Sequence, residues 1–464
     1  MMSQQMVAYP QQMTWYAEPT AGVGRYDGWM AAFLLWMLVF GPSTAPSPSL
    51  PPIRSVDFLI LILLISRWLK TSQLHGGFIF SRRMRAFSLP ILWIALIGTI
   101  ATAAQVASGQ YIFFLKDYFQ PIAMVRMVII AAIMGSYDFN ERHIQQFMKG
   151  LLIVSIATAA LALVQRFYPH LLAGFIERYY AIDVRRLEIE MTGTQARVLG
   201  TLGNPNVFAG FIVILAAGAL AIAIYSKRLM RLVALATYFA LVVAEVIATA
   251  SRTGIVALVV VTCFSLLISM QGRARWSALM IMFLMLSAFL TLRKQVADFS
   301  FINPRTRELL TGQEGAVSGG IESRYRLWQR SWDEAKTSLV IGTGFKKMAV
   351  HITDNGYLFT LMASGILGAL AYVGMFVVLF GRGIRAFFRE QDRTRRMMLS
   401  ATVMGLVTMA IFELTGEFFW NIGYGAIASA LLGLLCAGTS RERGTGAWQG
   451  WESAIAFSRG SAFR

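Results

Sequence analysis

Cysteine, histidine and charge are all scarce in this chain. Its only two cysteines, Cys263 and Cys436, lie far apart inside apolar runs. They read as packing residues rather than a disulfide or a metal pair. The four histidines form no HxxxH pattern and no CxxC is present, so neither a metal nor another cofactor is expected. Charged residues make up 14% of the chain against 56% hydrophobic ones, and the mean hydropathy is +0.58. A soluble domain carries about a quarter charged residues, so a polytopic membrane protein is expected instead. The opening MMSQQMVAYPQQMTWYAEPT has neither the basic start nor the small-residue cleavage site of a signal peptide and reads as a polar tail. The net charge of +18 has no soluble basic domain to carry it. It points to basic cytoplasmic loops, and nucleic acid is not expected as a partner.

What the chain does have is long apolar runs. About twelve begin near Trp29, Val56, Phe87, Phe119, Phe147, Asn206, Leu232, Ile255, Trp276, Tyr357, Leu399 and Gly423. About 20 apolar residues at 1.5 Å rise cross a bilayer. The first two runs are shorter and are joined by GPSTAPSPSLPP, which cannot be helical. Short basic loops set the orientation. Lys70 with Arg82, Arg83 and Arg85 form one, Lys227, Arg228 and Arg231 a second, and Arg273 and Arg275 a third; the run GRGIRAFFREQDRTRRMM is the fourth. Alternating helices put all four loops and both termini on one side, which the positive-inside rule makes cytoplasmic.

The expected fold is therefore all-α and polytopic, with about twelve transmembrane helices. Residues 1–27 form a cytoplasmic tail, and 28–292 hold nine helices with an outer loop at 168–205. Residues 293–356 form a long outer loop with short amphipathic helices, 357–438 three further helices, and 439–464 a second cytoplasmic tail. Outer loops of that length in a compact protein are usually functional. No internal repeat is evident, which weighs against a transporter built from repeated halves.

Four stretches on the outer side could carry chemistry. In ESRYRLWQRSWDEAK, helical spacing makes Tyr325, Trp328, Trp332, Ala335 and Leu339 one apolar stripe. Arg326 and Arg330 project away from it as solvated charges, Arg330 within i+4 reach of Glu334, and Arg324 sits at the stripe's edge. In ATASRTGIVAL, Arg252 stands at the mouth between two apolar helices, where Ser251 or Thr253 suffices as a cap. In QARVLGTLGNPNVFAGF, Asn204-Pro205-Asn206 breaks the loop and opens a helix, with Arg197 just upstream. In GTGFKKMAVHITDNGYLFTLMASGILG, Thr353 or Asp354 is the expected N-cap of the long helix, and His351 precedes it. Two intramembrane charges, Arg126 and Glu245, fall at similar depth and are expected to pair. Glu413 and Glu417 form an acidic strip at i and i+4 facing the same region.

In this order the stretches resemble the O-antigen ligase and Wzy-type polymerase superfamily. The resemblance covers residues 195–375 through R…G-x-x-x-N-P-N-x-x-A, SRTG, SRYRLWQ…GTGF and DNGYLFTLMASGILG. It implies an integral-membrane glycosyltransferase in the bacterial cytoplasmic membrane, acting at the outer face on undecaprenyl-pyrophosphate-linked glycan. Carried over by motif, Arg197, Arg252 and Arg324 contact the pyrophosphate, and the loop before Asn355 supplies the catalytic polar group. Asn204, Asn206, Asn355, Glu413 and Glu417 support the site. Ligases of the family commonly show H-x-H-N where this chain reads ITDN. The D-N form looks more like the polymerases, and a chain-length regulator or export complex is then the implied protein partner.

Physical chemistry runs in the same direction. Arginine forks bind phosphate oxygens bidentately and stabilise the charge that builds as the bond to the leaving diphosphate breaks. So good a leaving group needs no metal, and direct displacement inverts the anomeric centre. A base taking the acceptor proton contributes about 10²–10⁴-fold. Two residues compete for that role. His351, biased toward neutral imidazole by Lys346 and Lys347, is preferred on charge grounds, whereas Asp354 fits the family position better. The rival activities are a ligase moving finished glycan to lipid A core or another acceptor, and a flippase for lipid-linked sugars. A flippase needs charges along a path through the membrane, whereas these cations cluster at one boundary.

Overall fold

The computed structural model describes residues 26–44, 53–72, 84–112, 119–137, 139–180, 197–249, 251–269, 314–345 and 353–439, with isolated positions at 117 and between 276 and 291. Five helices come first: α1 Asp27–Phe40, α2 Ser55–Ser72, α3 Arg85–Ala107, α4 Phe119–Gly135 and α5 Glu141–Phe167. Next are α6 Pro169–Tyr180, α7 Pro205–Tyr225, α8 Arg228–Ala244 and α9 Arg252–Ser269. The last four are α10 Glu314–Thr337, α11 Gly356–Arg389, α12 Arg393–Glu413 and α13 Ile422–Gly438. The one β pairing among the described residues joins Ser43 to Arg54 and Thr44 to Ile53, closing the hairpin between α1 and α2.

Eleven of the expected apolar segments coincide with helices; the run beginning at Trp276 lies largely outside the described residues, as do 1–25 and 440–464. Among the described residues seven helices are long and apolar enough to cross a membrane: α3, α5, α7, α8 with its π-helical extension, α9, α11 and α12. Helices α1, α4 and α13 are apolar but shorter.

Helix α7 is apolar all round and buried all round, as expected of a helix surrounded by others. Helices α5, α8, α9 and α12 pack against it. The outer helices carry apolar rows away from the core: Leu229, Leu232, Phe239 and Val243 on α8, Val256, Val259 and Val260 on α9, and Leu370, Val373 and Val377 on α11. Rows this continuous are what hydrocarbon accepts and water does not.

Helix α11 is broken at Gly365, whose φ of 64° and ψ of −168° interrupt the helical ladder. Lipid supplies no hydrogen bonds, so the groups freed by the break need partners from protein. The turn following α10 provides them. Thr343 N donates to Met362 O at 2.8 Å, Gly344 N to Ala363 O at 3.1 Å, and Ile366 N to Leu339 O at 2.9 Å. Phe345 N then donates to Thr102 Oγ1 on α3 at 2.7 Å. The loop carrying α10 is thereby anchored against two helices more than a turn inside their ends.

Helix α10 corrects the expected apolar stripe. Its buried positions are Ser331 and Ala335, with Arg324, Leu327 and Trp328 half-buried, whereas Tyr325, Trp332 and Leu339 face outward. The helix packs on α11 through a line displaced by one residue from the aromatic stripe. Within the described part of the long loop, α10 runs as one helix of 24 residues; residues 293–313 and 346–352 lie outside the described residues.

Candidate active site

Arg197 fastens the start of α7 to the end of the π-helical extension of α8. Its Nε donates to Thr249 O at 2.8 Å, and one terminal nitrogen donates to Asn206 Oδ1 at 2.7 Å. Asn204 Oδ1 caps α7, accepting from Asn206 N at 2.9 Å and Val207 N at 3.3 Å with Pro205 at the first helical position. Ser251 Oγ accepts from Gly254 N at 3.2 Å, the expected cap of α9. Arg252 is half-buried at the first position of that helix.

The second group forms where α10 crosses the start of α11. Arg324 Nε lies 2.8 Å from Asp354 Oδ2. Trp328, one turn along α10, donates its Nε1 to Asp354 O at 3.3 Å. Asp354 has φ 51°, the one positive value at a non-glycine residue among those described. Aspartate visits this left-handed region more readily than most residues, and outliers of this kind cluster at functional sites. Burial pushes the Asp354 carboxyl above its usual range, and the Arg324 guanidinium pulls it part of the way back.

The cap of α11 is neither Thr353 nor Asp354. Asn355 holds it, with extended φ and ψ of −161° and 117° and its Oδ1 accepting from Leu358 N at 3.0 Å. Asn355 Nδ2 also donates to Leu414 O at 3.2 Å, fixing the start of α11 to the end of α12. Thr353 is left free to bond elsewhere, and its Oγ1 donates to Glu417 Oε1 at 2.6 Å. Glu413 is wholly buried; its Oε1 accepts from Phe419 N, and its Oε2 has no hydrogen-bond partner. Gly356 is the reason it fits, because a Cβ there would overlap that oxygen.

Glu245 is buried beside Gly254 in the same way, and neither carboxyl oxygen has a hydrogen-bond partner. Its expected ion pair with Arg126 is not formed. Arg126 instead pairs with Asp57 at 2.8 Å, joining α4 to the first turn of α2, and the cation near Glu245 is Arg197. Helix α4 packs on α2, α3 and α13, so Arg126 meets the first turn of α2 and not the segment that carries Glu245.

The two groups lie at one end of the bundle. In the second turn of α7, Ala209 lies against Gly254, and Gly210 against Phe412 and Tyr424. The structure thus brings Arg324 to Asp354, Arg197 to Asn206, and Asn355 and Glu417 to the joint between α11 and α12. His351 lies outside the described residues, as do Lys346 and Lys347. Sequence reasoning missed Trp328 and Thr353 as partners in the site. It also missed Asp57, although an aspartate inside an apolar run is itself a signal.

These features define a helical membrane protein with an arginine–carboxylate site where helix ends meet a long, anchored loop. The O-antigen ligase family model matches residues 237–373, consistent with the O-antigen ligase/Wzy superfamily. The matched stretch contains Arg252, Arg324, Asp354 and Asn355; Arg197, Asn204, Asn206, Glu413 and Glu417 fall outside it. Members of that family are glycosyltransferase-like enzymes, and the family implies a lipid-linked oligosaccharide substrate. A comparison with curated proteins gave no match.

Proposed function

We propose that this protein is a polysaccharide polymerase of the bacterial cytoplasmic membrane, with twelve spans and both termini inside. It transfers glycan from undecaprenyl pyrophosphate to a hydroxyl of another lipid-linked repeat unit at the outer face. The observation that carries this reading is the pairing of Arg324 with Asp354 inside the family-matched stretch.

The pairing suits the chemistry. Arg324 commits Nε to the carboxylate, and its terminal nitrogens serve as the fork for diphosphate oxygens. Arg252 and Arg197 add positive charge from the neighbouring helix ends. The acceptor oxygen attacks the anomeric carbon, the bond to the diphosphate oxygen breaks, and the leaving negative charge falls on the arginines. The acceptor proton passes to Asp354, whose burial makes it more basic than an ordinary aspartate. His351 is the competing base. Arginine charge on a diphosphate leaving group requires no metal, and a single displacement inverts the anomeric centre.

Deletion of the gene followed by analysis of the lipid-linked pool tests the reading. Accumulated single repeats support a polymerase. Long chains retained on the lipid carrier reassign the protein as a ligase, the activity for which the matched family is named. Repeats trapped at the cytoplasmic face reassign it as a flippase.

A further inference from the structure

At the opposite end of the bundle from Asp354, a cleft of about 380 Å³ opens between α5, α7, α8 and α12. Three cations line it: Lys149 from α5, Lys227 at the start of α8, and Arg393 at the start of α12. One carboxylate faces them, Glu141, and it is already engaged by Gln145 Nε2 at 3.1 Å and Thr394 Oγ1 at 3.4 Å. The cleft therefore has an excess of positive charge. Its floor is apolar and deformable, made by Met148, Met230 and Met397.

The surroundings decide what such a cleft can hold. Lys149 begins an exposed row on α5 that continues through Ile153 and Ile156 at helical spacing. Lys227 precedes a corresponding row on α8, through Leu229 and Leu232. A cationic rim that gives way to two exposed apolar rows matches a molecule with an anionic head and hydrocarbon tails. A soluble anion would match the rim but draw nothing from the lipid-facing rows that continue from it.

We propose that this cleft binds the phosphate headgroup of an anionic phospholipid. Lys149, Lys227 and Arg393 hold the phosphate, and acyl chains run along the exposed faces of α5 and α8. Basic pockets between membrane helices recognise anionic headgroups by charge that zwitterionic lipids largely cancel. The inference is independent of the glycosyl-transfer reading, because none of these residues belongs to the site around Asp354.

The test uses purified full-length protein, stripped of lipid in neutral detergent, with the thermal unfolding midpoint measured during titration. Phosphatidylglycerol is expected to raise the midpoint saturably and phosphatidylcholine to leave it unchanged. In Lys149→Gln/Lys227→Gln/Arg393→Gln the concentration of phosphatidylglycerol needed should rise at least tenfold. The control variant Arg326→Gln/Arg330→Gln/Lys336→Gln removes the same charge from α10 and should titrate like wild type. Equal weakening in both variants would reduce the effect to diffuse surface charge and overturn the proposal. So would an equal response to phosphatidylcholine. A full response to inorganic phosphate at the same concentration would assign the cleft to a soluble anion instead of a lipid.

Discussion

Asp354 accepts from Arg324 Nε at 2.8 Å, so a residue on α10 and a residue at the start of α11 hold each other in place. Lysine at 324 keeps the charge but loses the planar fork that serves a carboxylate and a diphosphate together. Arg324→Lys is expected to lower kcat/KM at least tenfold, and Arg252→Lys to cost much of the activity too. Arg326→Lys and Arg330→Lys, at exposed positions, should stay within about twofold. Polymer yield from membranes matched for protein content measures this. Equal tolerance at all four positions would remove arginine from the phosphate site.

The pair also sets a pH dependence. Burial raises the Asp354 pKa, and Arg324 opposes the rise. The ionised base is lost as pH falls through that raised value. The acid limb of kcat/KM should therefore lie above the ordinary aspartate value of about 3.9. Arg324→Gln removes the opposing charge and should move the limb to higher pH. Folding has the opposite sign: the stability gained from the raised pKa is present below the unfolded value and is lost as pH rises through the folded one. An acid limb that Arg324→Gln leaves in place would disconnect it from Asp354.

The choice of base is a separate comparison. Asparagine tolerates the left-handed backbone that Asp354 adopts, so Asp354→Asn changes the charge with little strain. Loss of polymer in Asp354→Asn with retention in His351→Ala is the expected pattern. The reverse pattern assigns the base to His351.

Gly365 ties the loop to the bundle. Its φ of 64° with ψ of −168° is a conformation essentially confined to glycine, costing other residues about 1–3 kcal/mol, and a Cβ there would overlap the Val340 carbonyl oxygen. Gly365→Ala should lower the unfolding midpoint and reduce activity although the position is remote from Asp354. Gly374→Ala in the same helix, where a Cβ meets nothing within 4 Å, is the matched control and should be neutral or stabilising. Wild-type activity in Gly365→Ala would mean that the loop does not need this anchor.

Arg126 and Asp57 give a stability test. Removing one partner of a fully buried pair costs about 3–5 kcal/mol, and the loss here should be smaller because the Arg126 and Asp57 side chains are 18% and 34% exposed. Asp57→Asn should destabilise the protein, and Asp57→Leu/Arg126→Met should recover much of the loss in the unfolding midpoint. The same substitutions at Glu245 should show no coupling to Arg126 in a double-mutant cycle.

Sidedness is tested with single cysteines in a variant lacking Cys263 and Cys436. An impermeant thiol reagent on intact cells should label Ser318→Cys and spare Gln391→Cys, which occupies the exposed turn between α11 and α12. Labelling at Gln391→Cys alone would invert the orientation.

The sequence by itself determined the helical membrane class, the positions of eleven apolar helices and the asparagine cap of α7; at α9 it left Ser251 and Thr253 open, and the structure chose Ser251. Apolar run length, proline and short polar side chains act locally, so their consequences are readable without tertiary contacts. Only the tertiary structure decided the pairings. Glu245 was the expected partner of Arg126, but α4 packs on α2, α3 and α13, and that neighbourhood brings Asp57 to the guanidinium. Thr353, Asp354 and Asn355 are all competent caps. The left-handed turn at Asp354 gave the cap to Asn355, the carboxylate to Arg324 and the threonine to Glu417. On α10 the aromatic periodicity was correct, but the buried line lay one residue away. A membrane surface accepts Tyr and Trp as readily as a protein core does, so periodicity alone cannot say which of the two a stripe will face.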